Sequence, residues 1–279
     1  MIKIGEYQSL TIVREMPQGF YLEDDDENEV LFPTKYITPD MAIDDRIKVF
    51  VYCDSSGREV ATTEKPLFTV GQCALLEVVQ VNDSGAFCEW GITKELFIPY
   101  SNQDEKLVKG NKYVVYMYLD DVTERLVGTT KLDVFLKKFA DDNITVGSSV
   151  NIRVFNELDK SYKVVINDAY VAMIYKNEIK EPLRIGQLIT GYIKPLRPDN
   201  KIDVSINPVG HQHIEPQAQL ILSKLKSNGG HLPYNDKSKP EDIKAVFGIS
   251  KKLFKKCTGN LYKQRLIAIK DDGIHLLQS

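Results

Sequence analysis

Apolar and polar positions form a repeating strand pattern along residues 67–131. Five short apolar-rich runs are separated there by clusters of Gly, Asn, Asp and Ser, which favour turns. The runs cover residues 73–81, 86–90, 96–99, 113–119 and 125–129. Five strands of this length are typical of a small Greek-key barrel of the OB type. The pattern therefore predicts one complete β-barrel in this stretch.

The same pattern occurs twice more, at nearly constant offsets. Residues 1–65 match it 66 positions earlier, with a last turn one residue shorter, and residues 143–214 match it 76 positions later. The matched cations before the fifth strand are Arg58, Arg125 and Lys201. A register that is kept through loops indicates repetition of one unit. We therefore predict three tandem five-stranded OB-fold barrels, at residues 1–65, 66–142 and 143–214, with a linker at 133–143.

The apolar positions take a helical period in residues 215–279. A helix is predicted from residue 216 to 226, and a short helix begins near Pro240. Ser250 is a typical N-cap for a longer helix that runs to about Lys263. Asp271-Asp272-Gly273 then indicates a hairpin. This order is that of a winged helix-turn-helix. The predicted fold is mainly β with a C-terminal α+β domain.

Composition favours an ordinary soluble globular protein, since 43% of the 279 residues are hydrophobic and 27% are charged. No apolar run is long enough to span a membrane, and the N-terminus lacks the apolar core of a signal peptide. The four cysteines form no CxxC pair, so we expect buried thiols in a reducing cytoplasm.

Charge is distributed unevenly along the chain. Residues 1–65 carry a net charge of −7 and residues 66–142 carry −4, whereas residues 143–214 carry +2 and residues 215–279 carry +6. An anionic partner is therefore expected to bind the C-terminal half. By the same argument the third barrel is expected to bind nucleic acid best, and the first barrel worst.

The last predicted helix has two distinct faces. Its apolar residues fall on one side, and Lys252, Lys255, Lys256 and Lys263 fall on the other. Gly259 on the lysine side would let a phosphate backbone approach, and Arg265 begins the wing. The lysines either form a solvated surface or contact nucleic acid. The local charge of +6 favours nucleic acid.

OB barrels bind nucleic acid with strands two and three and the neighbouring loops, by stacking bases on aromatic rings. Tyr21 and Phe87 occupy matched positions on strand two, where Phe87 is either a stacking residue or part of the core. The third barrel has Lys163 at this position. Its candidate residues are Lys163, Tyr175, Tyr192, Lys194, Arg197 and Lys201. Tyr21, Arg58, Phe87 and Arg125 are possible accessory residues.

Catalytic and metal-binding motifs are not evident. The sequence has no GxSxG, Walker A or HExxH motif, so we predict no enzyme, no cofactor and no metal. His211 and His213 form an HxH pair in a predicted flexible linker, and His231 and His275 are taken to stand alone. The acidic run at residues 23–29 is either a docking or metal-binding loop or, preferentially, a solvated hairpin tip.

The repeated units resemble S1 RNA-binding domains in Gly85-Ala86-Phe87, in Phe97-Ile98-Pro99 and in Lys109-Gly110. Three such units, followed by the strings FGISKK at 247–252 and GNLYKQ at 259–264, resemble the conserved virulence factor B family over essentially the whole chain. This resemblance implies a bacterial cytoplasmic RNA-binding protein without catalytic activity, acting in post-transcriptional control. The missing aromatic in the third unit and the acidity of the first depart from the usual S1 pattern.

Three functions remain open from the sequence. The first is a non-catalytic protein that binds single-stranded RNA through the third barrel and the winged helix. The second is a DNA-binding regulator that uses the winged helix, with the barrels as a protein-interaction arm. In the third, the acidic first barrel docks the ribosome or another protein. A membrane partner is not expected.

Overall fold

A computed structural model describes residues 1–207 and 216–277 of the chain.

The first barrel is closed by five strands. The strands are β1 (Tyr7–Met16), β2 (Gly19–Glu23), β3 (Glu29–Pro33), β4 (Arg46–Cys53) and β5 (Glu59–Thr62). Their order is β1-β2-β3-β5-β4, and the one parallel contact, between β3 and β5, pairs Leu31 with Val60. The strands enclose a core that includes Leu10, Phe32 and Val51.

The second barrel is left open on one side. Its strands are β6 (Cys73–Val81), β7 (Gly85–Glu89), β8 (Leu96–Pro99), β9 (Lys112–Leu119) and β10 (Leu126–Thr129). The sheet order is β10-β9-β6-β7-β8, so β8 and β10 are edge strands. Gly128 of β10 lies against Leu96 and Ile98 of β8, where a Cβ atom on the glycine would be 2.8 Å from Ile98. The two edges are therefore packed together without being hydrogen-bonded.

The third barrel is closed like the first. A short helix, α1 (Leu132–Phe135), precedes it. Its strands are β11 (Ser149–Glu157), β12 (Ser161–Ile166), β13 (Tyr170–Tyr175), β14 (Leu188–Ile193) and β15 (Ile202–Ser205). The parallel contact between β13 and β15 closes it in the order β11-β12-β13-β15-β14.

The first strand of each barrel has a β-bulge at the same place. The register shifts between Ile12 and Arg14, between Val78 and Gln80, and between Val154 and Asn156. Bulges are built-in features that reorient the following side chains. The pairs beyond them are Arg14 with Tyr21, Gln80 with Phe87, and Asn156 with Lys163. The matched strand-two positions that the repeat predicts are therefore equivalent in the structure.

A glycine at the start of strand two allows two strands to approach closely in the first two barrels. A Cβ atom on Gly85 would lie 2.3 Å from the carbonyl oxygen of Ile98, and one on Gly19 would lie 2.1 Å from that of Phe32. Any larger residue would force the strands apart there. The third barrel has Ser161, which pairs with Tyr175 where the other barrels have proline. The β12–β13 hairpin thus differs locally from its two counterparts.

The three barrels share cores and form one compact unit, Met1–Ile206. Phe50 of the first barrel contacts Trp90 of the second edge-on, with ring centroids 5.7 Å apart. Leu132 and Leu136 pack with Val165 of the third barrel. The predicted linker at 133–143 therefore includes part of α1 and a packed segment. Its apolar residues pack against the second and third barrels. The predicted boundaries at residues 65 and 142 remain predictions.

The second compact unit, Asn207–Ser279, contains a winged helix. Its elements are α2 (Pro216–Ser227), β16 (His231–Leu232), α3 (Pro240–Phe247), α4 (Lys251–Lys263), β17 (Ile267–Lys270) and β18 (Gly273–Leu276), with sheet order β16-β18-β17. Ile221, Phe254 and Ile274 are buried in its core. Ser250 caps α4 by accepting a hydrogen bond from the Leu253 amide, as predicted. Strand β16 was not predicted, because a strand of two residues is too short to show an alternation of apolar and polar positions.

The predicted fold is confirmed: three closed or nearly closed barrels precede a winged helix. Among the described residues, no helix has both the length and the apolar character needed to cross a membrane.

Candidate nucleic-acid interface

Two aromatic rings lie side by side on the outer face of the second barrel. Phe87 of β7 pairs directly with Phe97 of β8, and their ring centroids are 5.0 Å apart at an interplanar angle of 37°. Both side chains are only partly buried, whereas Leu96 and Ile98 on either side of Phe97 point into the core. Phe87 is therefore a surface aromatic that can stack, not a core residue.

These rings line a cleft of about 750 Å³ on the open side of the second barrel. The buried residues Trp90 and Leu96 also line it, together with Tyr118 of β9, which is half-buried against Phe135. Ser55, in the turn after β4 of the first barrel, also lines the cleft. A cleft of this volume, lined by aromatic and polar groups, is large enough for a nucleobase.

Two cations lie in the cleft. Burial lowers the pKa of Lys94, and the nearby Arg125 guanidinium lowers it further. Arg125 is exposed and lies against Gly57 of the first barrel, where a Cβ atom would be 2.7 Å from Nη2. Both causes of the Lys94 pKa shift disfavour its positive charge, so an anionic phosphate would stabilise it. Glu95 and Asp120 also line the cleft, which limits its net positive charge.

The matched residues of the first barrel already contact other side chains of the same barrel. The guanidinium of Arg14 lies 4.2 Å from the centroid of the Tyr21 ring and pairs with Glu29. Arg58 donates to Asp54 through Nε and Nη2, at 3.0 and 2.8 Å. The acidic run lies in and beside the β2–β3 turn. Tyr21 and Arg58 therefore have intramolecular partners in an acidic environment.

The candidate cations of the third barrel each have a carboxylate partner. Lys163 is partly buried and pairs with Asp133 of α1. Lys194 lies 2.6 Å from Glu178. Asp199 is shared, at 3.3 Å from Arg197 and 3.1 Å from Lys201. These pairs engage the cations that would contact a phosphate, although the net charge of +2 for residues 143–214 already counts Glu178 and Asp199.

The third barrel also lacks a stacked pair at the strand-two position. Lys163 faces Met173 there, where the second barrel has two phenylalanines. Tyr175 is half-buried, and the Lys194 ammonium lies 5.6 Å from its ring centroid. Tyr192 is half-buried on β14. That the third barrel binds nucleic acid best remains a prediction. The geometry of its side chains supports this prediction less than its net charge does.

The lysine face of α4 lies where the sequence predicts it. Lys252, Lys255, Lys256 and Lys263 are exposed, while Phe254, Cys257 and Leu261 are buried on the other side. Lys255 lies 3.6 Å from Asp236. In the described parts of the chain, no ion pair involves Lys252 or Lys263.

The surroundings of this face are compatible with a phosphate backbone. Gly259 is half-buried, and no atom lies within 4 Å of the position a Cβ atom would take. Arg265, exposed at the start of the wing, has a left-handed φ of 56°. The lysine face is thus open around Gly259 and continues toward Arg265.

Histidines that the sequence left isolated come together in the structure. His231 of β16 pairs directly with His275 of β18, so the prediction that they stand alone is wrong. The reason is β16, which the sequence pattern does not reveal. His211 and His213 lie outside the described residues.

Sequence reasoning missed three residues of the cleft. Phe97, Lys94 and Tyr118 were not among the candidates. For Phe97 a signal was present: Leu96 and Ile98 have the period of buried strand positions, which leaves Phe97 on the outer face. For Lys94 and Tyr118 the signal lies only in the tertiary arrangement.

Barrels with an exposed aromatic pair and cations, together with a lysine-faced winged helix, define a nucleic-acid-binding protein. Residues 4–64 match the S1 domain family, and residues 219–276 match the CvfB-like winged helix domain.

Relatives extend over nearly the full chain. Conserved virulence factor B of Staphylococcus saprophyticus is 26% identical and covers 99% of this chain and 95% of its own. The protein YitL of Bacillus subtilis is 27% identical and covers 93% of this chain and 89% of its own. A crystal structure of a multidomain protein with nucleic acid binding domains from Streptococcus pneumoniae is 24% identical, covers 98% of both chains and has a TM-score of 0.44. The chain thus has a CvfB-like winged helix domain and an S1 domain, and it is similar over nearly its full length to proteins named conserved virulence factor B, as its sequence predicts.

Proposed function

We propose that this protein binds single-stranded RNA and acts in post-transcriptional control by binding alone, without catalysis. The Phe87–Phe97 pair in the cleft of the second barrel is the observation that carries the proposal. Stacking on a pair of exposed rings requires bases that are not already stacked in a duplex. The preference for RNA rests on the match to the S1 domain family.

Phosphates would be held by cations on two separate surfaces. In the cleft these are Lys94 and Arg125, and on the winged helix they are the lysine face and Arg265. Contacts of this kind are largely independent of sequence and weaken as salt increases. We therefore expect modest sequence preference and strong salt dependence. Lys163, Tyr175, Tyr192, Lys194, Arg197 and Lys201 of the third barrel are proposed as secondary contacts.

A second candidate function is binding to duplex DNA through α4. The exposed lysine row on this helix favours it, since a winged helix commonly places its last helix in a major groove. Competition separates the two functions. Labelled single-stranded RNA is bound first, and unlabelled RNA or duplex DNA of matched length is added at equal salt. Our proposal predicts that RNA competes at lower concentration, and stronger competition by the duplex would contradict it.

The lysines of α4 can be tested in the same assay. Changing Lys252 and Lys263 to alanine should weaken RNA binding and reduce the salt slope by about 0.7 for each phosphate that is no longer neutralised. The matched control is alanine at Lys226 and Lys244, which are exposed on the other two helices. An equal loss of affinity in both double variants would show that only net charge matters and that the α4 face is not a binding surface.

A protein partner for the first barrel is a further proposal. Residues 25–29 are exposed at the β2–β3 turn and are mostly acidic. Deleting the barrel would uncover Trp90 and its neighbours in the shared core, so charge reversal is the better test. Asp25 and Glu27 changed to lysine should reduce co-purification with ribosomes without changing RNA affinity. Unchanged co-purification would exclude this surface as the docking site.

A further inference from the structure

Two histidines and an aspartate converge on the hairpin of the winged helix. His231 and His275 lie opposite each other on β16 and β18, with ring centroids 4.4 Å apart and an interplanar angle of 30°. Asp272 lies in the turn that precedes β18. One potential ligand atom from each of the three residues lies within 4.8 Å of the others.

The spacing of these atoms suits a small divalent cation. Zinc bound tetrahedrally at 2.0–2.1 Å requires its ligand atoms to be about 3.3 Å apart. The His275 Nε2 atom lies 2.9 Å from Asp272 Oδ1, and the His231 Nε2 atom lies 3.8 Å from Asp272 Oδ2. Both contacts are close to this value, although each histidine approaches a different oxygen of the Asp272 carboxylate. The three ligand atoms lie within 4.8 Å of one another, so binding a metal ion requires the side chains to move closer together.

The backbone that carries the three residues is held firmly. Leu232 and Ile274, the next pair along the two strands, are buried in the core. Gly273 brings the strands close together, because a Cβ atom there would lie 2.1 Å from the carbonyl oxygen of Leu232. The buried Asn235 side chain donates to the carbonyl oxygens of Lys270 and Asp271, at 3.2 and 3.0 Å. The backbone positions of the three residues are therefore fixed before any ion binds, and only their side chains need to adjust.

We propose that His231, Asp272 and His275 bind one divalent transition-metal ion of the zinc class. Imidazole suits zinc, nickel and copper, whereas magnesium and calcium prefer all-oxygen sites. Three protein ligands leave a fourth position for water or for a group of a bound partner. The metal would join β16 to the turn between β17 and β18. This site is independent of the proposed RNA-binding function.

Calorimetric titration of zinc into the full-length chain, without an affinity tag and in a non-chelating buffer, tests the proposal. Wild type is expected to bind one equivalent at this site. His231→Gln, His275→Gln and Asp272→Asn should each weaken that binding by at least about 10-fold, since even outer-shell changes cost 10- to 100-fold. Circular dichroism of each variant would verify that the fold is kept.

The HxH pair at His211 and His213 provides the matched control, because two histidines in a short segment could also hold zinc. A His211→Ala/His213→Ala variant should keep the binding that the His275→Gln variant loses. The proposal would be overturned if only the His211→Ala/His213→Ala variant lost zinc binding. It would also be overturned if His231→Gln and His275→Gln bound zinc with wild-type affinity. The absence of any wild-type binding at about 1 mM zinc would overturn it as well. Replacing zinc with magnesium should abolish the signal.

Discussion

At the scale of single residues, equivalent positions in the three barrels have different surroundings. Arg58 and Arg125 both precede the fifth strand of a barrel. Both are exposed, but Arg58 pairs with Asp54, whereas Arg125 lines the cleft together with Phe87 and Lys94. A shared position in the repeat therefore predicts where a cation is placed, but its neighbours decide whether it can reach a phosphate.

This difference predicts unequal effects of the same substitution. Arg125→Ala should weaken binding to single-stranded RNA by about 10-fold, because charge-assisted hydrogen bonds contribute about 1.5–3 kcal/mol. Arg58→Ala should change it less than about 2-fold, since Arg58 is not among the residues that line the cleft and its guanidinium pairs with Asp54. Fluorescence anisotropy with a labelled oligonucleotide measures both. A larger effect of Arg58→Ala would show that the first barrel, not the second, contacts the RNA.

At the scale of elements, most strands and helices follow from the sequence because they have a clear period and clear ends. The register of the repeat predicts the equivalent strand-two positions, and the structure places a bulge before each of them. Strand β16 could not be predicted, since its pairing with β18 depends on contacts over forty residues away in sequence. For the same reason the cross-strand histidine pair and the ion pairs of Lys163 and Lys194 are visible only in the structure.

The segment after α1 is attached to the third barrel by a polar contact. Asp141 accepts hydrogen bonds from the Lys137 ammonium and the Tyr170 hydroxyl. These partners, Lys137 foremost, hold the pKa of Asp141 well below its usual range. A lowered carboxyl pKa stabilises the fold at pH values above the unfolded pKa of about 3.9, and this stabilisation is lost as the pH falls toward the folded pKa.

Asp141→Asn should therefore lower the urea midpoint at pH 7, and the difference from wild type should shrink as the pH falls from 5 to 2. Asp142→Asn, one residue further along, is the matched control. A difference that stays constant over this pH range would show that the charge of Asp141 does not stabilise the folded state.

At the scale of the whole molecule, the chain consists of two compact units, and the first contains all three barrels. Sequence repetition suggests three separate domains, but apolar residues outside each barrel interior are used to join neighbours. Phe50 and Trp90 join the first two barrels, and Leu132 with Val165 joins the segment containing α1 to the third. Repetition shows that a unit is copied and does not show how strongly the copies pack together.

The shared core predicts coupled unfolding of the first two barrels. Trp90 is the only tryptophan and lies in the second barrel, so its fluorescence reports on that barrel. Phe50→Ala, a change in the first barrel, should lower the stability measured by Trp90 fluorescence by about 3–5 kcal/mol. Phe32→Ala, in the separate core of the first barrel, is the comparison. An unchanged Trp90 transition in Phe50→Ala would mean that the two barrels unfold independently.

Base stacking in the second barrel is tested by replacing both of its exposed rings. In a titration of labelled single-stranded RNA, Phe87→Ala/Phe97→Ala should weaken binding by at least about 10-fold, since stacking contributes about 1–3 kcal/mol per base. The salt slope should stay the same because the phosphate contacts remain. Met173→Ala, at the position of the third barrel equivalent to Phe97, should bind like wild type. Wild-type affinity in the double variant, or a larger loss of affinity in Met173→Ala, would contradict RNA binding through this cleft.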